Sequence, residues 1–206
     1  MNTVRLFDQN SYLTECTATV IACHPQGEGF AIVLDQTVFC PEGGGQKGDS
    51  GTLGDARVLH TVEESEILHL TDRPLPVGST VHGCIDWERR FYRMQHHSGE
   101  HVLSGLVTKQ YGYRNVGFHL GDELVTIDYD GVLSREQLDE LERDANAVIC
   151  QNRVITATYP SAEELKSLPY RSKKEITEAI RIVTVEGVDI CACCAPTFPK
   201  PVRSAS

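Results

Sequence analysis

Two histidines four positions apart, His97 and His101 in the run His97-Ser98-Gly99-Glu100-His101, are the residues whose spacing first suggests chemistry. On an α-helix, residues at that spacing lie one turn above each other, so both imidazoles reach one ion. Zinc takes imidazole nitrogen and cysteine sulfur readily in tetrahedral sites. Paired histidines also occur on solvated helix faces, so the motif needs a third donor. Cys191-Ala192-Cys193-Cys194 offers one, in the same half of the chain and just after an expected strand. That cluster has two rival readings: a redox pair (Cys191 with Cys193, or adjacent Cys193 and Cys194) and a set of buried thiols. Neither explains the histidines, and a metal centre is the expectation.

The remaining cysteines, Cys16, Cys23, Cys40, Cys84 and Cys150, are scattered in or beside apolar segments and are expected as buried thiols. Disulfides are not expected, because the polar start Met1-Asn2-Thr3-Val4-Arg5 is no signal peptide. No apolar run approaches the roughly 18 residues of a membrane span. A cytoplasmic location without membrane association follows as the expectation. The net charge of −10 argues against indiscriminate nucleic-acid binding but allows a local basic face. Candidates are Arg89, Arg90, Arg93, Lys109 and Arg114, and separately Arg171, Lys173 and Lys174; a solvated helix face is the alternative for each group.

The elements that must position these residues divide near residue 87. Residues 17–23 and 30–40 are rich in Val, Ile, Thr and Phe, with a turn over 25–29. A glycine-rich turn at Pro41-Glu42-Gly43-Gly44-Gly45-Gln46 follows, then short strands at 56–62, 66–70 and 81–86. Short strands broken by Gly and Pro suggest a small barrel over residues 1–86. Residues 87–206 alternate helices and strands. Asp86 can cap a helix to about Tyr111, with Phe91, Met94, Ser98, Val102 and Gly105 on its buried stripe. Residues 116–129 read as a hairpin turning at Gly121-Asp122. Ser134 with Gln137 forms a capping box for a helix burying Leu138, Leu141, Ala145 and Val148. Ser161 with Glu164 opens a short helix, and residues 181–185 form a strand ending at the Gly187 turn. The fold class is α+β: a β-barrel, then a domain of antiparallel sheet and packed helices.

Several motifs in order resemble the editing domain of alanyl-tRNA synthetase and its free-standing, AlaX-type relatives. They are Pro41-Glu42-Gly43-Gly44-Gly45-Gln46-Lys47-Gly48-Asp49, Asp86-Trp87-Glu88-Arg89-Arg90, His96-His97-Ser98-Gly99-Glu100-His101, Gly117-Phe118-His119-Leu120-Gly121 and Val125-Thr126-Ile127-Asp128. The resemblance runs from residue 1 to about 196. It implies a zinc-dependent, ATP-independent hydrolase that removes serine (or glycine) from mischarged alanine tRNA, with zinc held by H-x-x-x-H and C-x-x-x-H pairs. His97, His101 and Cys193 match three of those ligands. The fourth position holds Thr197 instead of histidine. Glu100 is a candidate for proton transfer, against the alternative of a solvated helix glutamate. Asn115 and His119 are candidates for polar pocket groups, and Gly43, Gly44, Gly45 and Gln46 for close approach of backbone to substrate, against a plain tight turn. A relative that binds tRNA or a protein without deacylation is the alternative function.

The tail departs from the family, which continues Thr-Gly-Glu-Ile-Gly after the missing histidine. Degenerate codons for residues 196–206, read from the third base of the Pro196 codon, permit His-Val-Ser-Lys-Thr-Gly-Glu-Ile-Gly-Ile. A single-base deletion near that codon is the expectation, with natural divergence as the alternative. Sequencing the 3′ end tests it: an intact gene whose other frame lacks that peptide refutes the deletion.

Overall fold

The structure is a computed structural model that describes residues 3–121, 124–172 and 180–198. The fold is α+β, and the chain separates into two compact units, Met1–Arg93 and Met94–Ser206.

In the first unit, β1 (Val4–Arg5), α1 (Leu6–Gln9) and β4 (Gln36–Thr37) lie outside a closed barrel, β1 pairing in parallel with β4. The barrel is formed by β2 (Glu15–Gln26), β3 (Gly29–Leu34), β5 (Gly51–Leu53), β6 (Ala56–Glu63), β7 (Ile67–Thr71) and β8 (Thr80–Ile85), in the order β2-β3-β7-β6-β5-β8. Alternate residues of β2 and β8 point inward, Cys16, Ala18 and Val20 meeting a core with Ile32, Leu34, Phe39 and Leu53. Closure removes the open edges that short strands would otherwise expose. Pro25, expected in a turn, continues β2 opposite Phe30; the reversal is confined to Gly27 and Glu28.

The glycine-rich segment is a tight turn. Gly44 and Gly45 take φ of 63° and 81°, and Gly43 and Gln46 exchange backbone hydrogen bonds of 3.0 and 3.1 Å. Arg90 anchors this loop: its Nε donates to both oxygens of buried Asp49 at 3.0 Å, and its Nη2 donates to Val38 O at 2.7 Å. Arg93 donates to Gly48 O at 2.8 Å. Both arginines are buried, so neither belongs to the expected basic face, where among 89, 90 and 93 only Arg89 is exposed.

Helix α2 (Trp87–Tyr111) starts in the first unit and continues into the second, where Met94, Ser98, Val102 and Gly105 are buried. Asp86 caps it weakly, its Oδ1 accepting from Arg89 N at 3.4 Å. The second unit adds a hairpin of β9 (Asn115–Leu120) and β10 (Val125–Tyr129), whose expected turn residue Asp122 is outside the described residues. Next come α3 (Arg135–Cys150), β11 (Ile155–Thr158), α4 (Ala162–Ser167), β12 (Ile182–Val185) and β13 (Asp189–Ala192). The last three strands form an antiparallel sheet, β11-β12-β13. Both capping boxes are present, Ser134 with Gln137 and Ser161 with Glu164. Leu141, Ala145 and Val148 of α3 pack with Val102, Val107, Val183 and Val185. Leu138, one turn before Leu141 on the same stripe, is instead 46% exposed in the first turn of the helix. Strands β11 and β13 were not expected: each is four residues long, too short for an alternating pattern to stand out. Cys150 is exposed and Cys23 and Cys84 are half-buried, so only Cys16 and Cys40 of the five scattered cysteines are buried thiols.

Candidate metal centre

Helix α2 carries His97 and His101 on one buried face, and β13 delivers the third donor. His97 Nε2 lies 3.1 Å from Cys193 Sγ. Donor atoms of His97, His101 and Cys193 all fall within 4.8 Å of one another, a group that could hold a metal ion. What lets the strand come this close is Gly105: a Cβ there would stand 2.6 Å from Val188 O and 2.8 Å from Asp189 Cβ.

Asp189 settles how His101 is used. Its Oδ2 accepts from His101 Nδ1 at 3.0 Å, and Arg171 grips both carboxylate oxygens, Nε to Oδ1 and Nη2 to Oδ2, at 2.7 Å each. A second group of donors, His101, Asp189 and Cys191, is also close enough for a metal. The guanidinium already occupies the Asp189 oxygens, which favours the group with Cys193. His101 Nε2 is left buried without a hydrogen-bond partner, as is His97 Nδ1. Unpaired buried nitrogens cost stability unless something binds there, and two imidazoles with a thiolate suit zinc.

The local charges agree. Burial opposes the Cys193 thiolate, but the charge of His97 and the nearness of the His101 ring pull its pKa well below the usual thiol value. Burial likewise opposes charge on His101, yet its bond to Asp189 and the nearness of the Cys191 and Cys193 sulfurs raise its pKa well above the usual value.

Glu100 is 4% exposed, which rules out the solvated-glutamate alternative. Its Oε1 accepts from Ser104 Oγ at 2.8 Å and Asn115 Nδ2 at 2.5 Å, and Ser104 Oγ lies 3.2 Å from Tyr129 OH. Burial raises the Glu100 pKa, but His101, His97, Ser104 and Arg171 more than reverse that, and the net shift is downward. Asn115 is buried with its Oδ1 unpaired, whereas His119 stands exposed on β9 opposite Thr126. Thr197 is buried, and its neighbour Phe198 donates its N–H to Ser98 Oγ at 3.2 Å, which seats this segment against α2 beside His97. Residues 199–206, on which the deletion reading also rests, lie outside the described residues, as do Lys173 and Lys174.

Asp189, Arg171, Ser104 and Tyr129 were missed from sequence. Ser104 follows Glu100 by one helical turn, a signal that was available. Arg171 is no surface cation, because it is committed to Asp189.

The chain is 33% identical to alanyl-tRNA editing protein Aarsd1-A of Xenopus laevis, across 90% of this chain and 49% of the relative. It is 30% identical to alanyl-tRNA editing protein AlaX-L of Pyrococcus horikoshii, across 92% of this chain and 49% of that protein. The chain belongs to the alanyl-tRNA editing family. A third relative of this editing family, the alanine–tRNA ligase of Ignicoccus hospitalis, is 33% identical across 93% of this chain and 22% of the ligase. The chain thus spans about half the length of the curated editing proteins it matches. No family model matches it. Among the described residues, no helix is long and apolar enough to cross a membrane.

Proposed function

We propose that the chain deacylates mischarged alanine tRNA, releasing serine or glycine, with zinc held by His97, His101 and Cys193. The observation that carries this reading is the convergence of those three donors in a chain aligned along nine-tenths of its length with alanyl-tRNA editing proteins. Zinc there would polarise the ester carbonyl and lower the pKa of a bound water. His101 is oriented for the ion by Asp189, and Glu100, fixed by Ser104 and Asn115, keeps negative charge beside both histidines. The unpaired Asn115 Oδ1 is a proposed acceptor for the substrate. Gly43, Gly44, Gly45 and Gln46 are proposed contacts as well, supported by the buried, unpaired Gln46 Oε1. Exposed Arg89, Lys109 and Arg114 remain from the expected basic face to meet tRNA phosphates, although Arg89 and Arg114 also pair with Asp86 at 3.5 Å and Asp130 at 2.8 Å. A reducing cytoplasm suits the free thiols.

Hydrolysis of seryl-tRNA for alanine, with added zinc and a His97→Ala/His101→Ala control, tests the proposal. Histidine-dependent release of serine is expected; release that survives the double substitution refutes it. Thr197, where the family has a zinc-binding histidine, favours one second reading: a chain that binds the tRNA without deacylating it. Binding with no release by folded, zinc-loaded protein would establish that alternative.

A further inference from the structure

Arg171 is bound to β13 twice over. Its N–H donates to Ile190 O and its carbonyl accepts from Ala192 N, both at 2.8 Å, making a parallel bridge across from Cys191. The guanidinium is therefore positioned by the strand that carries Asp189 and leads into Cys193. It then grips Asp189 through two parallel bonds, a planar fork that a lysine cannot reproduce. Asp189 Oδ2 is shared between Arg171 Nη2 and His101 Nδ1. With both carboxylate oxygens held, the acceptor for His101 cannot rotate away, and the buried ring keeps its Nε2 free of hydrogen bonds. Arg171 also supplies the positive charge that offsets two carboxylates, Asp189 and Glu100, lying 3.0 and 3.8 Å from the same ring nitrogen.

We propose that Arg171 is a positioning residue for the metal centre, acting on the ligand His101 through Asp189. The proposal rests on the zinc reading above. Groups that orient a ligand histidine typically contribute 10–100-fold to metal affinity. A strut that merely tied residues 169–172 to β13 would contribute to folding and nothing to the ion.

The test measures zinc affinity by chelator competition in the full chain, alongside melting of the metal-free protein. Arg171→Met is expected to weaken zinc about 10–100-fold. Arg171→Lys, which keeps the charge but not the fork, is expected to fall between that variant and the parent. It also serves where the methionine variant does not fold. Asp189→Asn is expected to weaken zinc too, and the double variant Asp189→Asn/Arg171→Met no further than the worse single one, because both act along one chain of contacts. Zinc affinity within about twofold of the parent in Arg171→Met or Arg171→Lys overturns the proposal, even where melting falls, as does full multiplication of the two single losses. A parent chain that binds no zinc overturns the centre and this role together, and is recognised before any variant is compared.

Discussion

His97 Nε2 and Cys193 Sγ lie 3.1 Å apart although 96 residues separate them. The histidine is carried by a 25-residue helix, and the cysteine follows immediately after the four-residue strand β13. The distance is short enough that either side chain alone would leave the other's polar atom poorly paired in a buried setting.

Of the three clustered cysteines, Cys193 is expected to be the ligand. Cys193→Ser should abolish the sulfur-to-metal charge-transfer band of cobalt-substituted protein and weaken zinc binding. Cys194→Ser, changing an exposed thiol, should leave both unchanged. A band that survives in Cys193→Ser would move the site to Cys191.

Thr197→His is expected to raise zinc affinity at least about tenfold, near 1.4 kcal/mol, by adding a fourth donor. Thr197 is buried, and the backbone next to it is fastened to Ser98 on the helix that carries His97 and His101. Chelator competition decides it. Unchanged affinity would mean that position 197 does not face the ligand set.

Arg90→Met should destabilise the first unit by about 3–5 kcal/mol, because it strands the buried carboxylate of Asp49. Arg90→Met combined with Asp49→Leu should recover part of that loss. Urea unfolding measures both, and equal midpoints for Arg90→Met and parent would show that the pair contributes nothing.

His69 predicts an acid-sensitive barrel. It is fully buried, its Nδ1 donating to Ile32 O at 3.0 Å while Thr37 Oγ1 sits 2.8 Å from Nε2. Burial, working against the Ile32 bond, lowers its pKa from 6.5 to about 4. The unfolded chain therefore takes up the proton first as pH falls. This contribution is complete above 6.5 and is lost down to about 4, at roughly 1.4 kcal/mol per pH unit. Urea midpoints at pH 7.5 and 4.5 should differ less in His69→Gln than in the parent; equal differences would exclude His69 as the cause.

The barrel was legible because its strands alternate and are punctuated by Gly and Pro, and α2 because its apolar stripe repeats over many turns. The structure brings donor atoms of His97, His101 and Cys193 within 4.8 Å of one another, and in the sequence the three are legible as residue types that could share one ion. Spacing along the chain carries that much, since ligand identity and helical period are local properties. Arg171, Asp189 and the Glu100–Ser104–Asn115 network were not legible. A charged residue is exposed by default, and nothing local tells a buried arginine from a solvated one. Arg90 and Arg171 became structural only when folding placed Asp49 and Asp189 against them. Long-range pairing of that kind depends on where Gly105 allows β13 to approach α2, and only the tertiary structure decides that.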